Sequence, residues 1–98
     1  MIKVLLSDNK LNIKGHANFN DYGKDIVCAA VSSILITSVN DMLTINKSAV
    51  IYNDNGDEIN LEIIKEDDLV IKLFDNLKNL LINLSEDYPK NIKVERED

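Results

Sequence analysis

Ala49-Val50-Ile51-Tyr52-Asn53-Asp54-Asn55-Gly56-Asp57-Glu58-Ile59-Asn60-Leu61-Glu62-Ile63 is the stretch from which the architecture can be read. Ala49 to Tyr52 is apolar and partly β-branched, as a strand requires. Ile59, Leu61 and Ile63 alternate with Asn60 and Glu62, which puts the three apolar residues on one face of a returning strand. Between them, Asn55-Gly56 is the dipeptide that a tight hairpin turn prefers, because both central positions need a positive φ. The stretch therefore predicts an antiparallel hairpin with one apolar face, and its flanks have to cover that face.

On the carboxyl side, Glu66-Asp67-Asp68 places acids where a helix amino terminus favours them. Leu69, Leu73, Leu77, Leu80 and Leu84 then recur at helical spacing until Pro89 approaches. The spacing predicts a helix with one apolar stripe. Beyond it, Ile92 and Val94 predict a short edge strand, and Glu95-Arg96-Glu97-Asp98 a frayed end. On the amino side a long helix is predicted from about Lys24 to Thr44 or Asn46. Its Ile26, Val27, Val31, Ile34, Leu35, Ile36, Val39, Met42 and Leu43 spread around most of the circumference, the pattern of a helix that is central or shared with a partner. Before it, Ile2, Val4 and Leu6 alternate, Ser7-Asp8-Asn9-Lys10 turns, and Leu11 and Ile13 resume the alternation. The order β-β-α-β-β-α-β predicts one α+β domain over residues 1–98, with a mostly antiparallel mixed sheet and two helices.

With 98 residues, 45% of them hydrophobic, the chain can bury one modest core. A net charge of −6 disfavours nucleic acid as a direct ligand and suits a basic polypeptide. The first six residues are too short for a signal sequence, so a cytoplasmic location is expected. The apolar run Ile26 to Val39 is interrupted by Ser32, Ser33, Thr37 and Ser38 and falls short of the roughly 20 residues of a membrane span, so no membrane association is expected. No cofactor or metal is expected either. One cysteine and one histidine cannot build a structural zinc site, and no glycine-rich phosphate loop occurs. Asn53, Asn55, Gly56 and Glu62 loosely match a calcium loop, but Ile51 stands at the first ligand position.

The residues suited to chemistry lie between the first hairpin and the long helix. Gly15-His16-Ala17 contains the only histidine, and Asp25-Ile26-Val27-Cys28-Ala29-Ala30 the only cysteine. Cysteine attacks as the thiolate, and an imidazole can take its proton, hold the charge as an ion pair and return the proton to a leaving group. Contact is feasible. Seven loop residues reach up to about 23 Å, and Cys28 lies only about 6 Å along its helix. A thiol of pKa about 8.5 is only about 3% ionised at neutral pH, and a helix amino terminus contributes about 0.3–1 kcal/mol. Activation therefore needs the imidazole as well; without it Cys28 is a packing residue.

Neighbouring residues each have two readings. Asp25 either orients His16 or simply favours the helix dipole. Ser32, one turn beyond Cys28, either donates into a groove or bonds back to the helix carbonyls. Gly23 is a hinge or a residue near the helix cap, and Phe19 and Tyr22 line a peptide cleft or tuck into the core.

At these residues the sequence resembles the ribosomal-processing cysteine proteases, the Prp family. The matching segment runs from Gly15-His16-Ala17 through Tyr22-Gly23-Lys24-Asp25-Ile26-Val27-Cys28-Ala29-Ala30-Val31-Ser32 to Ser38-Val39-Asn40. The resemblance implies a small homodimeric α+β endopeptidase with Cys28 as nucleophile and His16 as general base and later general acid. Asp25 and Ser32 would be supporting members, and Ala17 to Gly23, with Phe19, Tyr22 and Gly23, a substrate loop that moves aside. It also implies a substrate: the amino-terminal extension of large-subunit ribosomal protein number twenty-seven. The contrasting expectation, from another class, is a non-catalytic ribosome-assembly or protein-binding dimer that recruits a basic partner.

Overall fold

The computed structural model describes residues 1–15 and 24–97, with Lys24 and Asp25 described by backbone alone. Strands β1 (Ile2–Leu6) and β2 (Lys10–Lys14) precede helix α1 (Lys24–Asn46). A 3₁₀ turn, Lys47–Ala49, then leads into β3 (Val50–Asp54) and β4 (Glu58–Ile63), followed by helix α2 (Asp68–Asp87) and β5 (Ile92–Arg96). The five strands form one sheet in the order β3-β4-β2-β1-β5, antiparallel except where β5 runs parallel to β1. This is the α+β order and mixed sheet that the sequence predicts.

The register explains why one face is dry. Val4 pairs with Ile13 and Leu6 with Leu11, Ile13 pairs with Ile59 and Leu11 with Leu61, and Ile2 pairs with Ile92. Directly paired residues project to the same side of a sheet, so these side chains form one continuous apolar floor. A shift of one residue would turn any strand's set to the solvent. Both helices pack on this floor, and all the buried apolar residues form a single cluster. The opposite face carries Lys3, Lys10, Asn12, Lys14, Asn60 and Lys93, with the Asn12 amide donating to Glu58 and, at 2.8 Å, to Asn60.

The hairpin turn forms where predicted, but one residue on: Asn55 N–H donates to the Glu58 carbonyl at 3.1 Å, Gly56 and Asp57 are the central residues, and only Gly56 has a positive φ. Gly56 has φ +92°, Asp54 accepts from its N–H at 2.9 Å, and the Asn55 side chain accepts from the N–H groups of Asp57 and Glu58 at 3.0 and 2.8 Å. At the other end of the hairpin, Asp67 caps α2 by accepting from Leu69 and Val70 N–H at 3.1 and 3.2 Å. Its second oxygen accepts from Asn46 at 3.0 Å, tying the end of α1 to the start of α2.

Two packing expectations change. Of the two readings of helix α1, central or shared with a partner, the first does not hold within the chain: Val27, Cys28, Val31, Leu35, Val39 and Met42 face the core, while Ile26 and Ile36 are 66% and 53% exposed. The apolar residues exceed what one packed face can cover, because sheet and α2 lie on the same side of the helix. By length and composition Ile26–Ala49 is apolar enough to cross a membrane, but its buried stripe is already engaged with the domain's own core. In α2 the buried face is Val70, Phe74, Leu77 and Leu81, so that of the predicted leucine series only Leu77 lies fully in it. Leu69 is 56% exposed and Leu80 partly so, because that series runs along one edge of the face. Leu80 borders a shallow groove with Ser33 and Thr37 of α1.

Candidate active site

β2 delivers the chain to the site. Lys14, its last residue, pairs with Lys3 of β1 on one side and Glu58 of β4 on the other, so the strand's exit is held in the interior of the sheet. Gly15 follows with φ +80°, a backbone conformation that L side chains rarely adopt. His16 comes next in sequence, and it lies outside the described residues, as do Phe19, Tyr22 and Gly23.

α1 supplies the thiol. Cys28 is the fifth residue of the helix, one turn in from its amino terminus, and sits on the core-facing stripe with Val27 and Val31. It is 2% exposed. The sequence could not show this depth, because a lone cysteine in an apolar helix, most often a packing residue, is in other proteins a reactive thiol. The backbone of Asp25 lies in the first turn, three residues before Cys28. Ser32, four residues after it and so one turn further along, is half-buried. The structure therefore brings Cys28 and Ser32 to one region of α1 and puts the departure of β2 immediately before His16 in the chain.

Chemically, a thiol near a helix amino terminus has its thiolate favoured by the helix dipole, while burial among apolar side chains opposes ionisation. A nucleophilic role at Cys28 thus requires a proton acceptor and access for substrate.

The feature that sequence reasoning passed over is Gly15. It reads as the first letter of Gly15-His16-Ala17, yet a Cβ at this position would lie 2.6 Å from the carbonyl oxygen of Met1. Only the pairing of β1 with β2 reveals that approach. A second unanticipated feature is Lys78, a lysine that is only 7% exposed on α2. Its ammonium lies 4.8 Å from the centre of the Phe74 ring, 3.3 Å from Asp75 and 3.5 Å from the Asp8 carbonyl, bracing the β1–β2 turn at the end of the sheet away from Gly15.

Known proteins share this fold. The family model described as cysteine protease Prp matches residues 1–93. The ribosomal processing cysteine protease Prp of Mycoplasma genitalium is 35% identical over 97 residues, which cover 99% of this chain and 97% of that protein. The crystal structure of an essential ribosomal processing protease Prp from Staphylococcus aureus with a substrate peptide superposes with a TM-score of 0.86 at 25% identity, covering 99% of this chain and 100% of that one. The same protease with a covalently linked product peptide gives a TM-score of 0.80 at 27% identity over the same shares of the two chains.

Proposed function

This chain belongs to the Prp family and is a cysteine protease, and from that premise we propose that Cys28 is its nucleophile, His16 its general base and a ribosomal protein precursor its substrate. The observation that carries the reading is that the chain has one cysteine. A cysteine protease attacks with a thiolate, and no other residue of this chain supplies one. His16 is the only imidazole. Membership in a family of enzymes argues against the non-catalytic module.

In the proposed reaction His16 takes the proton of Cys28, and the thiolate attacks the scissile carbonyl. The tetrahedral intermediate collapses as His16 returns the proton to the departing amine, which is the new amino terminus of the mature substrate. The extension stays on Cys28 as a thioester. His16 next draws a proton from water, whose oxygen attacks the thioester and releases the extension with the thiol restored. The covalently linked product peptide on the S. aureus relative supports such a route. Because Cys28 is 2% exposed, seating of the peptide has to uncover the sulfur. Asp25 and Ser32, three residues before and four after Cys28, are proposed as supporting groups.

The substrate assignment rests on the relatives' names, which specify ribosomal processing. The proposed cleavage removes the amino-terminal extension of large-subunit ribosomal protein number twenty-seven, in the cytoplasm. Ile26 and Ile36, left exposed on α1, support a homodimer. Mass analysis of that precursor incubated with the purified chain should detect the released extension and the mature amino terminus, and His16→Ala should abolish both. An uncut precursor after incubation with folded wild-type chain would overturn the substrate. Undiminished cutting by His16→Ala would overturn the base.

A further inference from the structure

We infer that the open face of the sheet docks the phosphate backbone of RNA, through Lys14, Lys3 and Lys93 standing abreast on β2, β1 and β5. Lys3 pairs directly with Lys14 on one side and with Lys93 on the other. Directly paired side chains point the same way, and neighbouring strands lie about 4.8 Å apart, so the three lysines rise from a row about 10 Å long. The row is on the face that neither helix covers. All three lysines are exposed, and with Leu5 and Asn12 they border a depression of about 230 Å³.

Like charges set directly opposite one another repel, and little in the fold offsets this. Glu58 lies 3.8 Å from Lys14 and Glu95 lies 3.0 Å from Lys93, but both pairs are exposed, and such pairs hold their members weakly. Lys3, in the centre, has no carboxylate within salt-bridge distance among the described residues. An anion lying along the row would relieve all three. The net charge of −6 argues against nucleic acid only while charge is counted over the whole chain. The strands sort it, because their outer face carries Lys3, Lys10, Lys14 and Lys93 against Glu58, Glu62 and Glu95. No lysine cluster shows in the sequence, since its members come from three strands and the register assembles it. The occupant follows from the chemistry of the face. Its outward-pointing strand residues include no aromatic ring and, beside the row, one large apolar side chain, Leu5, at 36% exposure. A docked protein needs an apolar or aromatic centre, whereas nucleic-acid interfaces are polar and positively charged. Phosphates follow one another about every 3.4 Å along a strand, so the row spans about three of them. Without rings to stack bases, the face contacts backbone and not sequence.

This binding is independent of the proteolytic assignment, and its test reads no cleavage. The full chain is titrated into a labelled oligouridylate at several salt concentrations, with anisotropy as the readout. Three phosphate contacts give a slope of about −2 in log K against log salt, so a fourfold rise in salt should weaken binding about 20-fold. Lys3→Gln, Lys14→Gln and Lys93→Gln should each flatten the slope by about 0.7, and the triple variant should lose about 10-fold or more in affinity at low salt. Glu58→Gln and Glu95→Gln should each tighten binding about threefold by freeing a lysine. Lys47→Gln, on the 3₁₀ turn outside the sheet, should leave affinity and slope at wild-type values. Melting temperatures should stay near that of wild type throughout, because every replaced group is at the surface, and the single variants carry the test even if the triple variant melts early. A wild-type chain that leaves the anisotropy unchanged at low salt overturns the inference. So does a folded set of row variants that bind as Lys47→Gln does. Tighter binding of a labelled polyglutamate than of the oligouridylate, lost in the same variants, would make the face a site for acidic polypeptide and overturn RNA as its occupant.

Discussion

Replacing Cys28 by alanine separates chemistry from folding, because the two consequences differ by orders of magnitude. Cys28 is 2% exposed on the core stripe of α1, so removing its sulfur leaves a small void against Val27, Val31 and their neighbours in the core cluster. Deleting one buried group of that size costs about 1–2 kcal/mol, the transfer free energy plus an incompletely collapsed cavity. A domain of 98 residues at about 0.05–0.15 kcal/mol per residue has about 5–15 kcal/mol of stability. At least about 3 kcal/mol then survives, which keeps the unfolded fraction below about 1%. The melting temperature should fall by about 4–16 °C. Cleavage, by contrast, should fall at least about 1,000-fold if Cys28 is the nucleophile, since no other group can form the thioester. The assay is cleavage of the precursor peptide alongside calorimetry of the same samples, below the melting range of the variant. A folded Cys28→Ala chain retaining a tenth or more of wild-type cleavage would refute the assignment of the nucleophile.

Three further outcomes are expected. Asp67→Ala removes the acceptor for Leu69 and Val70 N–H and for Asn46. Those bonds, that from Asn46 foremost, hold the Asp67 carboxyl below its ordinary value. A depressed carboxylate stabilises the fold above its unfolded pKa of about 3.9 and loses that contribution as the pH falls through the folded value. Melting temperatures of wild type and variant should therefore differ at pH 7 and converge in acid; a constant gap would refute the linkage. For Lys78, buried along its stem against Phe74, Lys78→Met should cost less than about 1 kcal/mol and Lys78→Ala about 1–3 kcal/mol, in denaturant titrations; equal losses would mean that the ammonium rather than the stem matters. Sedimentation should find a dimer at micromolar concentration that Ile26→Asp with Ile36→Asp converts to monomer, whereas a wild-type monomer throughout would contradict the homodimer.

How much of this was legible in the sequence depended on whether the deciding interaction was local. The Asn55-Gly56 turn, the acidic start of α2, the alternation in β1, β2 and β4 and the span of α1 are governed by turn geometry, capping and hydrophobic period, all of which act within a few residues. Cys28 and His16 stand out as candidates for a related reason, since each is the only residue of its chemistry in the chain. The leucine series of α2 misled by about a fifth of a turn. Period identifies a stripe but not its centre, which Val70, Phe74, Leu77 and Leu81 take in the shared core.

By itself, then, the sequence determined the elements, their order and the presence of a single cysteine and a single histidine. Only tertiary structure decided that β5 lies parallel beside β1, that α1 buries Cys28 on one stripe while exposing Ile26, and that Gly15 meets the carbonyl of Met1. Each of these is a contact between segments far apart in the chain. Such contacts arise when a shared core chooses among several locally acceptable placements, and no short window of residues contains that choice.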